Sequence, residues 1–181
     1  MSESNLKLFL KNKPELTKTF YSTRTQSLDP SFTTYADLIR SGLKEIYRIE
    51  NPEETVVEET ESKYVLRIVG GEGTSLLITL EQTENQLEAD FDFILAKIPP
   101  KLEHSINSWL SDVNPTIFGI PKVGLRNAEQ GKVLILKAWI NANSLTSDGF
   151  KELLNDVSGI AASLVHDLDE KFGIKPLSFR K

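Results

Sequence analysis

The 181-residue chain contains no cysteine, one methionine, two histidines and two tryptophans. Without cysteine there can be no disulfide, no thiolate nucleophile and no cysteine-ligated zinc or iron–sulfur centre. The two histidines, His104 and His166, are far apart and neither stands in a metal-ligand spacing such as His-Glu-x-x-His. His104 shares the polar side of its helical pattern with Asn107, Ser108 and Ser111, and His166 neighbours Asp167 and Asp169, so both read as exposed polar residues. Positive charge is also in deficit. Twenty-one Lys and Arg stand against 26 Asp and Glu, a net charge of −5, which argues against non-specific binding to nucleic acid or anionic lipid.

Long apolar runs are missing too. Near the N-terminus Leu6, Leu8, Phe9 and Leu10 are interrupted by Lys7, short of a signal-peptide core, and no later stretch approaches a membrane span. The expectation is a cytoplasmic protein with no membrane insertion and no nucleic-acid partner. Catalytic signatures are equally scarce. The segment "GGEGTS" at 70–75 lacks the lysine of a phosphate loop and links two strand patterns, and no serine lies in a Gly-x-Ser-x-Gly elbow. Asp90 and Asp92 project from one side of a strand pattern, as oxygen ligands of a divalent cation would, but Glu88 continues the row and a solvated polar face accounts for all three. No catalytic residue, metal or cofactor is assigned, and the chain is not expected to be an enzyme.

What the chain does have is pattern. Residues 1–31 are turn-rich, with five basic against three acidic side chains, and read as an N-terminal arm. From Thr33, Tyr35, Leu38, Ile39, Leu43, Ile46 and Tyr47 recur at three and four, one stripe of a helix that Pro52 closes. The glutamate-rich stretch 50–62 reads as a solvated linker. From Lys63 the period drops to two: "YVLRIV", "SLLITLE" and "LEADFDF" predict three strands in an antiparallel meander, joined by short links rich in Gly, Asn and Glu. Pro100 opens a second helix bearing Leu102, Ile106, Trp109, Leu110 and Val113. Two strands follow, Thr116 to Leu125 and Lys132 to Ala142. A long helix then starts near Ser147 or Asp148 and stops at Gly173, leaving 174–181 as a tail. The fold class is therefore α+β, an antiparallel sheet of about five strands in the order helix-β-β-β-helix-β-β-helix, forming one domain over 32–173.

One strand breaks the usual pattern. In 132–142, Leu134, Leu136, Ala138 and Ile140 share one face, while Val133, Ile135 and Trp139 make the other face largely apolar as well. A sheet with helices on one side normally turns polar residues outward. The second face should therefore meet something: the arm or another element of the chain, a second copy, or an extended partner segment.

The element order, the helix end "LSDVN" and the closing phrase "VLILKAWINANSLTSDGFKELLNDVSGIAASLVHDL" resemble the YbjN and type III secretion chaperone-like family over roughly residues 33–172. Trp109 to Asn114 match the end of the family's middle helix, and Leu145, Thr146, Ser147 and Leu153 to Val157 match the entry to its last helix. The arm in front and the insertion at 50–61 depart from the pattern. The resemblance implies a small cytosolic chaperone-like protein that holds an extended client and forms a homodimer through the middle helix and the adjoining strand. Carried over, it makes Ile106, Trp109, Leu110 and Ile117 dimer candidates beside Val133, Ile135 and Trp139, with ordinary core packing as the competing reading of the helix residues. The favoured function is a non-catalytic protein-binding module, chaperone-like or regulatory. The alternatives are a small-ligand binder or enzyme with a pocket built from Asp90, Asp92 and His104, and a structural subunit of a larger assembly.

Overall fold

A computed structural model describes residues 32–69, 75–84, 86–114, 117, 121–129, 131–142 and 146–176. The expected arm 1–31 and the link 70–74 lie outside the described residues. Among the described residues nine helices and strands follow one another: α1 (Phe32–Tyr47), β1 (Val56–Glu59), β2 (Lys63–Val69), β3 (Ser75–Gln82), β4 (Leu87–Ile98), α2 (Glu103–Val113), β5 (Lys122–Ala128), β6 (Gly131–Asn141) and α3 (Ser147–Phe172). The strands form one antiparallel sheet in the order β1-β2-β3-β4-β6-β5. The α+β class and the helix order are those the periodicities predict, with one strand more.

That extra strand is β1, inside the stretch expected to be a linker. A 3-10 turn at Pro52–Thr55 leads into it, and its pairing with β2 is irregular between Val56 and Glu58. An edge strand needs no apolar face, which is why glutamates hid it. Arg40 of α1 secures it, donating to Glu59 Oε1 at 3.0 Å and to the Tyr64 hydroxyl at 2.7 Å, with its guanidinium 4.6 Å from the Tyr64 ring centroid.

The core lies on one side of the sheet. Tyr64, Leu66 and Ile68 of β2, Leu76, Ile78 and Leu80 of β3, Ala89, Phe91 and Phe93 of β4, and Leu134, Leu136, Ala138 and Ile140 of β6 are all buried. They form a single cluster with Ile39 and Leu43 of α1, Ile106 and Leu110 of α2 and Phe150, Leu154 and Val157 of α3. A bulge between Ile94 and Ala96 lets Leu95 and Ala96 both be buried before β4 resumes its alternation.

The long helix α3 begins at Ser147 as expected, but its N-cap is Thr146, one residue before the candidates Ser147 and Asp148; the Thr146 side chain accepts from the Gly149 N–H at 3.1 Å. It ends as expected. Gly173 takes φ 64°, its N–H donates to the Asp169 carbonyl at 2.9 Å, and the Ile174 N–H reaches the Leu168 carbonyl at 3.3 Å. Ile174, in the stretch expected as a tail, is thereby buried in the core. Helices α1 and α3 meet closely, and a Cβ on Gly42 would overlap the Phe150 ring. Phe150 in turn packs on Phe91 of the central strand with ring centroids 5.9 Å apart. Gly42→Ala should therefore cost about 1–3 kcal/mol despite alanine's better helix propensity. Urea unfolding checks this: a lower midpoint is expected, and a gain would mean that the ring moves aside freely.

Candidate functional site

With the described helices on one side, the opposite face of the sheet presents the second set of alternating residues. On β4 these are Glu88, Asp90, Asp92 and Ile94, and on β6 they are Val133, Ile135, Lys137, Trp139 and Asn141. Register places Asp90 opposite Trp139, Asp92 opposite Lys137 and Ile94 opposite Ile135. Charged groups pair across the strands: Lys137 Nζ lies 3.0 Å from Asp90 Oδ1 and Arg126 of β5 lies 3.3 Å from Asp92 Oδ2. The Trp139 indole N–H donates to Glu88 Oε2 at 3.3 Å, which sets the ring on the sheet surface with 44% of the residue exposed. Val133 and Ile135 are half-buried further along the same face of β6, with Lys137 between Ile135 and Trp139. An apolar strip along β6 thus borders a ladder of ion pairs. The ladder was legible only as a row of acids, because its cations sit on strands more than thirty residues away.

The remaining candidates lie elsewhere. Ile106, Trp109, Leu110 and Ile117 are buried within the single chain. Trp109 meets Phe172 edge-on with centroids 5.8 Å apart, and Lys171 Nζ sits 5.7 Å from its ring centroid. These four belong to the core cluster, whereas Val133, Ile135 and Trp139 lie on the opposite face of the sheet. His104 is an exposed residue of α2, on the helical side of the sheet, whereas Asp90 and Asp92 face the other way. The structure does not bring the three together. Among the described residues no group of three or more His, Asp or Glu could hold a metal ion, and no helix is long and apolar enough to cross a membrane.

A shallow groove of about 710 Å³ runs between α2 and β5, lined by Asn107, Leu110, Ser111, Asn114 and residues 122–125. Asn114 closes it at the strand. Its side-chain amide donates to the Val123 carbonyl at 2.8 Å, and its oxygen accepts from the Val123 N–H at 3.0 Å. A side chain thus takes both backbone groups that edge strand β5 would otherwise offer at Val123. The sequence signal was an Asn-Pro helix end, which reads as a stop and not as a clamp.

No family model matches the chain, and no curated protein matches it. The chain is similar in fold to solved structures of YbjN from E. coli, at 12% identity and a TM-score of 0.46, covering 77% of this chain and 94% of that one. It is also similar to a chain of the heterodimeric ExoU–SpcU complex from the type III secretion system of Pseudomonas aeruginosa, at 21% identity and a TM-score of 0.45, covering 74% and 99%.

Two outcomes are expected from this geometry. Asn114→Ala should lower stability by about 1–3 kcal/mol, since two part-buried backbone groups lose their partner, and Asn114→Asp, which can accept but not donate, should recover only part of it. Chemical denaturation of both variants measures the difference. Asp92 supplies the second. Burial raises its carboxyl above the ordinary value, opposed by Lys137 and Arg126 and reinforced by Asp90. The folded chain then holds the proton more tightly than the unfolded one, so stability falls as pH rises from the ordinary carboxylate range through the raised value. Ionised Asp92 costs stability at neutral pH. Asp92→Asn should unfold at an equal or higher urea concentration than the unaltered chain at pH 7, and its advantage should vanish below about pH 4.

Proposed function

We infer that this chain is a non-catalytic protein-binding module, and that its contact surface is the face of the sheet along β6 over which no described helix lies. The observation that carries this is Trp139: a large aromatic ring, 44% exposed, held by Glu88 on a sheet whose opposite face is fully used by the core. Buried aromatic anchors dominate the energetics of protein contacts. Val133 and Ile135 extend the apolar strip, while Lys137, Asp90, Asp92 and Arg126 supply a charged border that would orient an incoming surface. Contact through the face is favoured over strand addition because Asn114 occupies the β5 edge and β1 is short, irregular and acidic. A chaperone-like or regulatory role in the cytoplasm, with a client or a second copy as the occupant, is the function this surface serves.

The deciding experiment uses two substitutions on this face and one control in the core. Trp139→Ala and Val133→Glu should keep the far-UV circular dichroism of the unaltered chain and weaken association by about 2 kcal/mol or more, roughly thirty-fold. Association is read by light scattering across a concentration range for self-contact, and by quantitative retention of partner proteins for a client. Trp109→Ala should instead lose about 3–5 kcal/mol of stability, because it empties a core site. Folded Trp139→Ala and Val133→Glu variants that associate as the unaltered chain does would overturn the assignment.

A further inference from the structure

Strand β5 carries a gap on the face proposed for contact. Register sets Gly124 beside Ile135 and Ile135 beside Ile94, so the three form one row across β5, β6 and β4. Ile94 and Ile135 are half-buried. A Cβ placed on Gly124 would meet nothing within 4 Å, and its φ is not positive, so neither crowding nor backbone geometry within the chain calls for glycine there. A glycine inside a strand weakens it, and often marks a place where another group comes close to the backbone. The missing side chain leaves the outer flank of Ile135 open at the edge of the sheet.

Charge brackets this row. On one side the same register gives Asp92, Lys137 and Lys122, and on the other Lys97 and Arg126 stand to either side of Val133. Four of these five charges are positive in a chain of net charge −5, and all four cations are exposed. Arg126 crosses the row. It reaches Asp92 Oδ2 at 3.3 Å from the far side of β6, over the strand that carries Ile135, and its side chain is 62% exposed. Asp92 has a second cation: burial raises its carboxyl above the ordinary value, and of the two cations that oppose the rise Lys137 acts more strongly than Arg126. An exposed ion pair of this kind is weak, so another carboxylate can take the guanidinium at little cost.

We propose that the gap at Gly124 seats an acidic, apolar segment of a protein partner, with one apolar side chain resting on Ile135 and Ile94 through the gap and carboxylates beside it engaging Lys122 and Arg126. The proposal rests on the reading of the β6 face as the contact surface and adds the chemistry of what binds there. Trp139 lies four residues beyond Ile135 on the same face, about 13 Å along the strand, within reach of the same extended segment. The two ends of the site differ in charge. Glu88 and Asp90 lie beside Trp139 and repel carboxylates, so the segment must be acidic at the gap and uncharged at the ring, which fixes its direction along β6.

Dye-labelled peptides supply the probe for the full chain: two leucines at alternate positions flanked by glutamates, with lysine-flanked and serine-flanked counterparts. Fluorescence anisotropy at low salt should show the glutamate peptide binding about tenfold or more tightly than either counterpart, with the advantage shrinking as salt rises. Lys122→Glu should remove that preference. Gly124→Val should weaken the glutamate peptide by about tenfold or more, by filling the gap, while the urea midpoint stays equal or rises, because valine suits a strand position with room for its side chain. Equal or tighter binding of the lysine peptide, unaltered affinity in both variants, or no binding of any peptide would overturn the proposal. Retention on phosphatidylglycerol vesicles without peptide binding would overturn it as well, and would point to a lipid surface. Trp139→Ala keeps this separate from the contact-face reading. If that reading fails, Trp139→Ala associates as the unaltered chain does; if only the partner chemistry fails, Trp139→Ala still weakens association while the charge on the peptide makes no difference.

Discussion

The pairing of β4 with β6 is the constraint on which the rest of the molecule depends. It is the longest ladder in the sheet, running from Glu88 opposite Asn141 to Ile98 opposite Lys132, and it joins strands separated by a helix and a further strand. Because β6 takes the place beside β4, α2 and β5 must make an excursion and return, and β5 is left outermost. Two contacts fasten that excursion. Lys132 at the start of β6 reaches Glu103 at the start of α2 at 2.6 Å, and Asn114 at the end of α2 clamps Val123. The bulge at Ile94–Ala96 matters for the same reason. It re-phases β4 so that the residues before and after it both feed the core that α3 covers.

From that centre the asymmetry of the molecule follows. Phe91 of β4 receives Phe150 of α3, and α3 receives α1 through Gly42, so the helices accumulate on one side. The other side of the two central strands then has to resolve its own polarity. It does so by cross-strand ion pairs over the middle, at Asp90–Lys137 and Asp92–Arg126, and by apolar residues at Ile94, Ile135 and Val133. The apparent excess of apolar residues in β6 thus divides between a core face and a surface strip beside a charged ladder.

Where the hydrophobic period was strong, the fold could be read directly. Helix α1, strands β2 to β4, helix α2 and helix α3 fall where Tyr35, Leu66, Phe91, Ile106 and Leu154 place them, because each buries a stripe against a common core. What could not be read depends on contacts between distant residues. Strand β1 has almost no apolar face and is a strand because β2 and Arg40 make it one. The buried state of Trp109 and the exposed state of Trp139 are indistinguishable in pattern, since both sit at regular positions of amphipathic elements. Only the placement of α2 against Phe172, and the lack of any described helix over β6, separates them. Strand β5 begins at Lys122, later than Thr116, with most of the intervening residues outside those described.

Edges and faces of a sheet compete as places to bind, and in this chain the competition is resolved by small polar devices. An open edge offers unpaired amides to any extended segment, with affinity drawn from main-chain hydrogen bonds and little discrimination. Asn114 removes that offer at Val123, and the short, irregular, glutamate-bearing β1 removes much of it at the opposite edge. What remains is a face whose apolar strip can gain from burial, and whose flanking charges are already paired with one another. A partner that seats on Trp139 without disturbing Asp90–Lys137 desolvates an ion pair that keeps its counter-charge, whereas one that inserts an unmatched charge must break it. On the contact face proposed above, selectivity would come from the ladder and affinity from the exposed ring.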